Sequence, residues 1–169
     1  MKASELLGRP AVIREGGQKA GKVKDLVIDP SGRQVLGFVL VEGILRKTMV
    51  AAWAGVQTIG PDNVVFDPAD SVVRPVQAPE IKSVLDSGLK LKGRKLQTTA
   101  GKDLGEINDL DFDKKTGAVL GYEISGGIFS GHHFMPTPQV MEIGEDIVFV
   151  APEIEATIYR GKGPQESKP

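Results

Sequence analysis

The feature that most constrains this chain is an internal repeat, because the sequence resembles itself after a shift of 84 positions. Residues 21–66 align with residues 105–150 without a gap, and 14 of the 46 aligned positions are identical. Many of the identities are glycines and turn aspartates, which a backbone shape requires more often than a chemical reaction does. They include Gly21 with Gly105, Gly37 with Gly121, and Asp29 with Asp113. The match predicts two copies of one small folding unit.

Each copy has the pattern of short β-strands. Apolar residues alternate after Gly21 and Gly105, and each segment then enters a turn after Asp29 or Asp113. These turns suit hairpins, since glycine tolerates positive φ and aspartate accepts hydrogen bonds from nearby backbone N–H groups. Five or six short strands per copy indicate a small barrel, which leaves few exposed edges. We therefore predict a mainly β fold with two tandem barrels, packed together because units of this size bury little core alone.

Gly37 and Gly121 stand inside the strands that return from these turns. Glycine weakens a strand unless the backbone bends there or another group packs closely. Since both copies keep glycine at this position, we predict a barrel corner or bulge at which a Cβ atom would clash.

The segment between the copies predicts one short helix over residues 79–88. Proline opens this segment, glycine closes it, and three apolar residues share one face that is expected to pack on a barrel. These residues are Ile81, Val84 and Leu85. The predicted organisation is a first repeat over residues 1–67, a linker over 68–90, a second repeat over 91–153, and a disordered Gly/Pro-rich tail over 154–169.

The repeat motif resembles the PRC-barrel domain. The first copy has Gly-Lys-Val-Lys-Asp-Leu-Val-Ile-Asp over residues 21–29 and Val-Leu-Gly-Phe over 35–38. The second copy has Gly-Glu-Ile-Asn-Asp-Leu-Asp-Phe-Asp over residues 105–113 and Val-Leu-Gly-Tyr over 119–122. This family occurs in photosynthetic reaction-centre H subunits, at the C-terminus of a ribosome maturation factor, and in many stand-alone prokaryotic proteins. The resemblance implies barrels that contact other proteins, with no catalytic residues to carry over.

The strongest candidate for a cation site is the alternating trio Asp109, Asp111 and Asp113. Three carboxylates at this spacing would line one strand face, where they could attract Ca²⁺ or Mg²⁺. The stretch does not fit a calcium loop, because Lys114 stands where the loop needs glycine. The first copy has Val27 at the middle position, so the barrel does not require the trio. We predict a solvated strand face that ends in a turn aspartate, with a weak cation or partner site as the alternative.

The two histidines and the remaining motifs do not predict an active site. His132 and His133 are adjacent, and adjacent residues of a strand point to opposite faces, so the sequence favours an exposed loop pair over a metal site. A histidine switch near neutral pH is the alternative. No cysteine, phosphate-binding glycine loop or nucleophile motif is present in the sequence. We therefore expect no enzyme activity, no cofactor and no bound metal.

Composition narrows the class of partner. The formal net charge of -1 gives no overall field to attract nucleic acid or an anionic membrane. Apolar runs such as residues 35–41 are far shorter than the ~20 residues of a membrane-spanning helix. Residues 1–8 lack the apolar core of a secretory signal. We expect a soluble cytoplasmic protein without membrane insertion, for which nucleic acid is an improbable partner.

The predicted function is a non-catalytic protein–protein interaction or scaffolding module, with another protein as partner or a second copy in a homodimer. Residues 1–67 carry a net charge of +2 and residues 91–153 carry -4, so the repeats could attract each other or contact different partners. Two alternatives stay open: an RNA- or ribosome-associated accessory protein, and an enzyme or small-ligand carrier that uses a cleft between the barrels. A basic surface stripe would favour the first alternative, and a deep pocket with convergent polar groups the second.

Overall fold

The structure is a computed structural model that describes residues 1–164 of the chain. The first repeat forms six of the strands in this described part: β1 (Pro10–Ile13), β2 (Gln18–Ile28), β3 (Val35–Glu42), β4 (Lys47–Ala52), β5 (Val56–Ile59) and β6 (Val64–Phe66). The linker adds β7 (Val72–Val73) to the same sheet. The linker contains the helix α1 (Pro79–Asp86). The second repeat forms β8 (Lys95–Thr98), β9 (Asp103–Phe112), β10 (Val119–Gly126), β11 (Phe129–Pro136), β12 (Met141–Ile143) and β13 (Ile147–Val150). The segment after it adds β14 (Tyr159–Arg160) to the same sheet.

The two repeats have the same strand topology. Among the described residues, one sheet has the order β5-β6-β1-β2-β3-β4-β7 and the other has the order β12-β13-β8-β9-β10-β11-β14. In each sheet one pair is parallel, β1 with β6 and β8 with β13, and the other neighbouring pairs are antiparallel. The predicted mainly β fold, with two barrel-like repeats and a short linker helix, is confirmed.

The chain divides into two compact units that do not follow the repeats in every segment. The first unit contains residues 5–29 and 35–89. Among the described residues, the second unit contains residues 1–4, 30–34 and 90–164. The predicted repeats are the continuous segments 1–67 and 91–153. The second unit instead includes residues 1–4 and 30–34, which the prediction placed in the first repeat. Backbone hydrogen bonds hold these two stretches in the second unit. The Phe112 N–H donates to the Met1 carbonyl (2.8 Å), and the Val119 N–H donates to the Arg33 carbonyl (2.9 Å).

The first unit buries an aromatic cluster inside its sheet. Phe38 and Phe66 are fully buried, and their rings meet edge to face with centroids 5.6 Å apart. Trp53 stacks on Phe38 at 5.8 Å. Such ring pairs contribute roughly 0.5–1.5 kcal/mol beyond the burial of their area.

The helix α1 packs on valines of the same unit. Ile81 and Val84 of the helix are buried in one cluster with three strand residues, which are Val27, Val39 and Val50. Pro79 occupies the first turn, where its missing N–H leaves no hydrogen bond unmade. Leu85, which the sequence places on the buried face, is instead 37% exposed because it lies in the last turn, outside this cluster.

The second unit has a tyrosine where the first has Phe38. Tyr122 occupies the equivalent position and is fully buried. A buried hydroxyl requires a hydrogen-bond partner. The Tyr122 hydroxyl donates to the carbonyl of Gly32, which lies in residues 30–34 of the same unit.

Part of the predicted disordered tail has regular structure. Within residues 154–169, the described part includes most of a 3-10 helix (Pro152–Thr157) and all of β14. This strand pairs with β11, and the ring of Tyr159 contacts that of Phe134 at 5.4 Å. The Gly/Pro composition did not reveal this short strand, because its pairing partner lies far away in sequence. Residues 165–169 of the predicted tail lie outside the described residues.

Gly37 and Gly121 each follow a bulge. The pairing register shifts at Leu36 in the first repeat and at Leu120 in the second, so each leucine lacks an opposite residue on β2 or β9. A Cβ atom on Gly37 would lie closer than 3.0 Å to the carbonyl oxygen of Ala51, and one on Gly121 would meet that of Met135 in the same way. The neighbouring strand therefore approaches too closely for any residue with a side chain.

We expect Gly37→Ala and Gly121→Ala each to destabilise the protein by roughly 1–3 kcal/mol, because the added atom forces two backbones apart. Chemical denaturation measures this change. The control is Leu120→Val, which alters an exposed side chain at the adjacent bulge and is expected to stay within about 0.5 kcal/mol of wild type. If both alanine variants were as stable as wild type, the close approach would not constrain the sheet.

Candidate functional site

The candidate cation site differs from the first repeat at its middle position and at a facing position on the next strand. Asp111 and Glu123 occupy the positions that Val27 and Val39 hold in the first unit. In the first unit these valines pack against α1. In the second unit the carboxylates contact residues 1–4 instead.

Residues 1–4 bring positive charge and backbone donors to this face. Lys2 Nζ donates a hydrogen bond to Glu123 Oε1 in a partly buried ion pair. The Met1 ammonium donates to the Phe112 carbonyl at 3.0 Å, and its nitrogen lies 3.9 Å from Asp111 Oδ1. Burial lowers the pKa of Lys2, but the hydrogen bond and charge of Glu123 outweigh that effect and raise the pKa above its usual value.

Asp111 is the most perturbed carboxyl group of this face. It is only 3% exposed, and its Oδ2 atom has no hydrogen-bond partner among the described residues. A Cβ atom on Gly163 would meet this oxygen, so the backbone of residue 163 lies directly over it. Burial raises the pKa of Asp111 from 3.8 to about 6, although the Met1 ammonium and Lys2 act in the opposite direction.

The three aspartates do not converge on one point. Asp113 accepts backbone hydrogen bonds from Lys115 (2.7 Å) and Thr116 (3.1 Å), and these bonds lower its pKa. Asp109 accepts from the Ser4 N–H at 3.2 Å. Within residues 1–164 no group of three or more His, Asp or Glu side chains is arranged to hold a metal ion. The predicted solvated face is wrong for Asp111, because residues 1–4 and 163 cover it.

The histidines lie in a strand rather than in a loop. His132 and His133 belong to β11, where His132 is exposed and His133 is half-buried. The predicted exposed loop pair is therefore wrong, because the antiparallel pairing of β10 with β11 continues through both residues. Neither histidine joins a metal-holding group in the part of the chain that the structure describes.

The first unit has an open groove beside the turn between β3 and β4. Its volume is about 650 Å³, and its lining includes Gly8, Gly21 and Gly43. Four basic residues line it: Lys19, Lys22, Lys24 and Arg46. Glu42 is the one acidic residue among those that line the groove.

The hairpin tip next to this groove is apolar and exposed. Ile44 and Leu45 lie between Gly43 and Arg46, and they are 101% and 94% exposed. Arg46 has a φ of 52°, in the left-handed region that residues other than glycine seldom adopt. We refer to residues 43–46 as the hairpin tip.

The equivalent tip of the second unit is folded down. The Ile128 N–H donates to the Asp103 carbonyl at 3.3 Å, and a Cβ atom on Gly127 would collide with the backbone of Gly105. By contrast, a Cβ atom on Gly43 would meet nothing within 4 Å. Ile128 is 48% exposed, about half the value of Ile44. The open groove is therefore a property of the first unit and not of the repeat in general.

The charges of the groove are also specific to the first repeat. A shift of 84 positions replaces the four basic residues, in order, by Asp103, Glu106, Asn108 and Ser130. The four basic side chains are not members of any ion pair found within residues 1–164. Their positive charge is thus available to a ligand.

The sequence did not identify this groove as a site. Arg46 and Lys47 form a basic run too short to predict a nucleic-acid stripe, and the three lysines are spread along β2. A comparison of the charges at aligned positions of the two repeats could have revealed the groove. The total charge of each repeat does not reveal it, because charges elsewhere in the repeat cancel the difference.

Comparison with known proteins identifies the repeat. A family model for the PRC-barrel domain matches residues 1–73 and 87–155. The chain belongs to the PRC-barrel family. No match is found among curated proteins. The residues of both PRC barrels that the structure describes include no helix that is both long and apolar enough to cross a bilayer. Below, the PRC barrels of the first and second units are called the first and second barrels.

The raised pKa of Asp111 predicts a pH dependence of stability. Between about pH 4 and 6 the folded protein holds a proton that the unfolded chain has released, so the free energy of unfolding falls as the pH rises through this interval. Asp111→Asn cannot ionise, and its stability relative to wild type is expected to increase by on the order of 2 kcal/mol from pH 4 to pH 7.

Urea denaturation at several pH values measures this difference. Glu153→Gln serves as the control, because Glu153 is exposed and is not among the residues that surround Asp111. This substitution should leave the dependence of stability on pH unchanged. A constant stability difference between wild type and Asp111→Asn across the interval would contradict the prediction.

Proposed function

We propose that this tandem PRC-barrel protein acts by binding another protein through its first barrel, and that it catalyses no reaction. PRC-barrel domains are generally protein-interaction modules. The observation that carries the proposal is the exposed hairpin tip, where Ile44 and Leu45 are adjacent and unburied. Single exposed apolar residues are common on protein surfaces, but two adjacent aliphatic side chains that are both fully exposed beside a groove favour an interaction site.

Burial of the hairpin tip in a partner would make binding favourable, because it removes two aliphatic side chains from water. Burying an aliphatic side chain contributes roughly 1.5–3 kcal/mol. Two such side chains at the end of a hairpin can enter a pocket of a partner, while the basic groove beside them supplies charge complementarity. A cytoplasmic location is part of the proposal and stays a prediction.

An RNA-associated role is the second candidate, because the groove is basic. The residues that line it include no aromatic side chain. Proteins that bind single-stranded nucleic acid usually stack bases on aromatic rings, which contributes about 1–3 kcal/mol per base. The adjacent aliphatic tip also offers nothing to a phosphate backbone. The surface therefore favours a protein partner.

The first test is partner capture with a variant of the tip. Ile44→Ser combined with Leu45→Ser removes both exposed side chains without touching the core. We expect a protein that co-purifies with wild type to be depleted at least about tenfold, because anchor residues contribute more than about 1.4 kcal/mol to an interface. Affinity purification from the source cells with quantitative mass spectrometry measures the depletion.

The matched control removes two exposed aliphatic residues from the second barrel, Ile128→Ser with Val140→Ser. Proteins captured equally by wild type and this control, and lost by the tip variant, support the proposal. The proposal fails if the tip variant captures the same proteins as wild type in the same amounts.

The second test concerns catalysis. We expect the purified protein to show no turnover of common ester, phosphate or redox substrates in a broad assay panel. An activity that a single substitution abolishes, while the fold remains intact, would contradict this expectation.

A further inference from the structure

We infer that the groove of the first barrel binds a short, extended segment of a partner protein that alternates acidic and apolar residues. This inference rests on the proposed function and adds the chemistry of the partner. We define the acidic-segment site as Lys19, Lys22, Lys24 and Arg46 together with the apolar tip residues Ile44 and Leu45.

The charges point to an anionic ligand. Four cations line one groove, and the single carboxylate of Glu42 leaves a net positive surface. The protein as a whole has a net charge of -1, so this positive charge is local. Like charges placed together repel one another, and a ligand with several carboxylates relieves that repulsion while it forms ion pairs.

The shape suits a peptide chain. A volume of about 650 Å³ accommodates a short stretch of ligand, since binding pockets commonly measure ~300–1,000 Å³. Gly8 and Gly43 line the groove, and a Cβ atom on either would meet nothing within 4 Å, so a ligand can approach their backbone closely.

The apolar tip separates an acidic peptide from other anions. Ile44 and Leu45 are fully exposed, and in the chain they lie between Gly43 and Arg46, which line the groove. Free phosphate or nucleic acid would leave these side chains in water, whereas apolar residues in an acidic segment would cover them. The ligand that satisfies both parts of the site therefore carries both kinds of side chain.

The second barrel provides an internal comparison. At the matched positions it has Asp103 and Glu106 instead of Lys19 and Lys22, and its hairpin tip is folded against β9. Both the charge and the opening of the groove thus differ between the copies. The same peptide is expected to bind one site per chain, in the first barrel.

The test measures binding of defined peptides to the full chain. The probe is a fluorescein-labelled decapeptide of alternating Glu and Leu, followed by fluorescence anisotropy. The triple variant Lys19→Glu, Lys22→Glu and Lys24→Glu removes three cations of the groove. We expect it to bind the probe at least about tenfold more weakly than wild type, since several charge pairs of ~0.2–1 kcal/mol each are replaced by repulsion.

A matched variant controls for the change in total charge. Lys90→Glu, Lys92→Glu and Lys95→Glu are three exposed positions outside the groove, and the substitution changes the net charge by the same amount. This variant is expected to bind the probe within about twofold of wild type. Thermal melts of both triple variants establish that each remains folded.

Two further probes identify the recognised chemistry. A decapeptide of alternating Glu and Ser tests the apolar part and is expected to bind more weakly than the Glu–Leu peptide. A ten-nucleotide oligouridine tests nucleic acid. Tighter binding of this RNA than of the Glu–Leu peptide, with loss in the groove variant, would overturn the inference in favour of RNA.

Equal loss of peptide binding in both triple variants would mean non-specific attraction and would also overturn the inference. So would a failure of wild type to bind the Glu–Leu peptide at low salt. If partner capture through the tip persists in that case, the proposed function stands and the acidic chemistry of the partner is wrong.

Discussion

The close approach between neighbouring strands at Gly37 and Gly121 is the constraint on which both barrels depend. At each position the facing carbonyl oxygen occupies the space that a Cβ atom would need. The bulge at the preceding leucine bends the strand at the same point, because one residue is left without a partner. A sheet bent in this way can wrap around Phe38 in the first unit and Tyr122 in the second.

Once each sheet is bent, its other face has to be covered, and the two units cover it by different means. In the first unit Val27 and Val39 pack with α1, so the cover is apolar and comes from the linker helix of the same unit. In the second unit Asp111 and Glu123 stand at the same positions, and the cover brings its own positive charges from residues 1–4. Burying carboxylates without such partners would cost several kcal/mol. Equivalent positions of the two repeats can thus hold apolar or acidic side chains, because the segment that covers them is apolar in one unit and positively charged in the other.

The hairpin between the third and fourth strands of each repeat has diverged in the same manner. In the second barrel the tip is folded against Asp103 and Gly105, and two acidic residues and an asparagine replace the three lysines of β2. In the first barrel the tip stands away from the sheet and leaves a basic groove. Duplication allows such a division, because one copy can preserve a closed surface while the other changes its surface without loss of the barrel. The two barrels thus share one strand topology and differ in the surface beside this hairpin.

The sequence by itself determined the repeat, the strand-rich character of both copies, the linker helix and the special status of Gly37 and Gly121. These features follow from local patterns, since alternation, turn residues and glycine placement act over a few residues. Only the tertiary structure decided that Asp111 is buried, that β14 pairs with β11, and that the hairpin tip of the first barrel is open. Each of these depends on a segment distant in the chain, or on the exact position of a loop relative to its own sheet. Local sequence patterns do not determine these features, because the burial of a residue and the pairing of a strand depend on which distant part of the chain lies beside it.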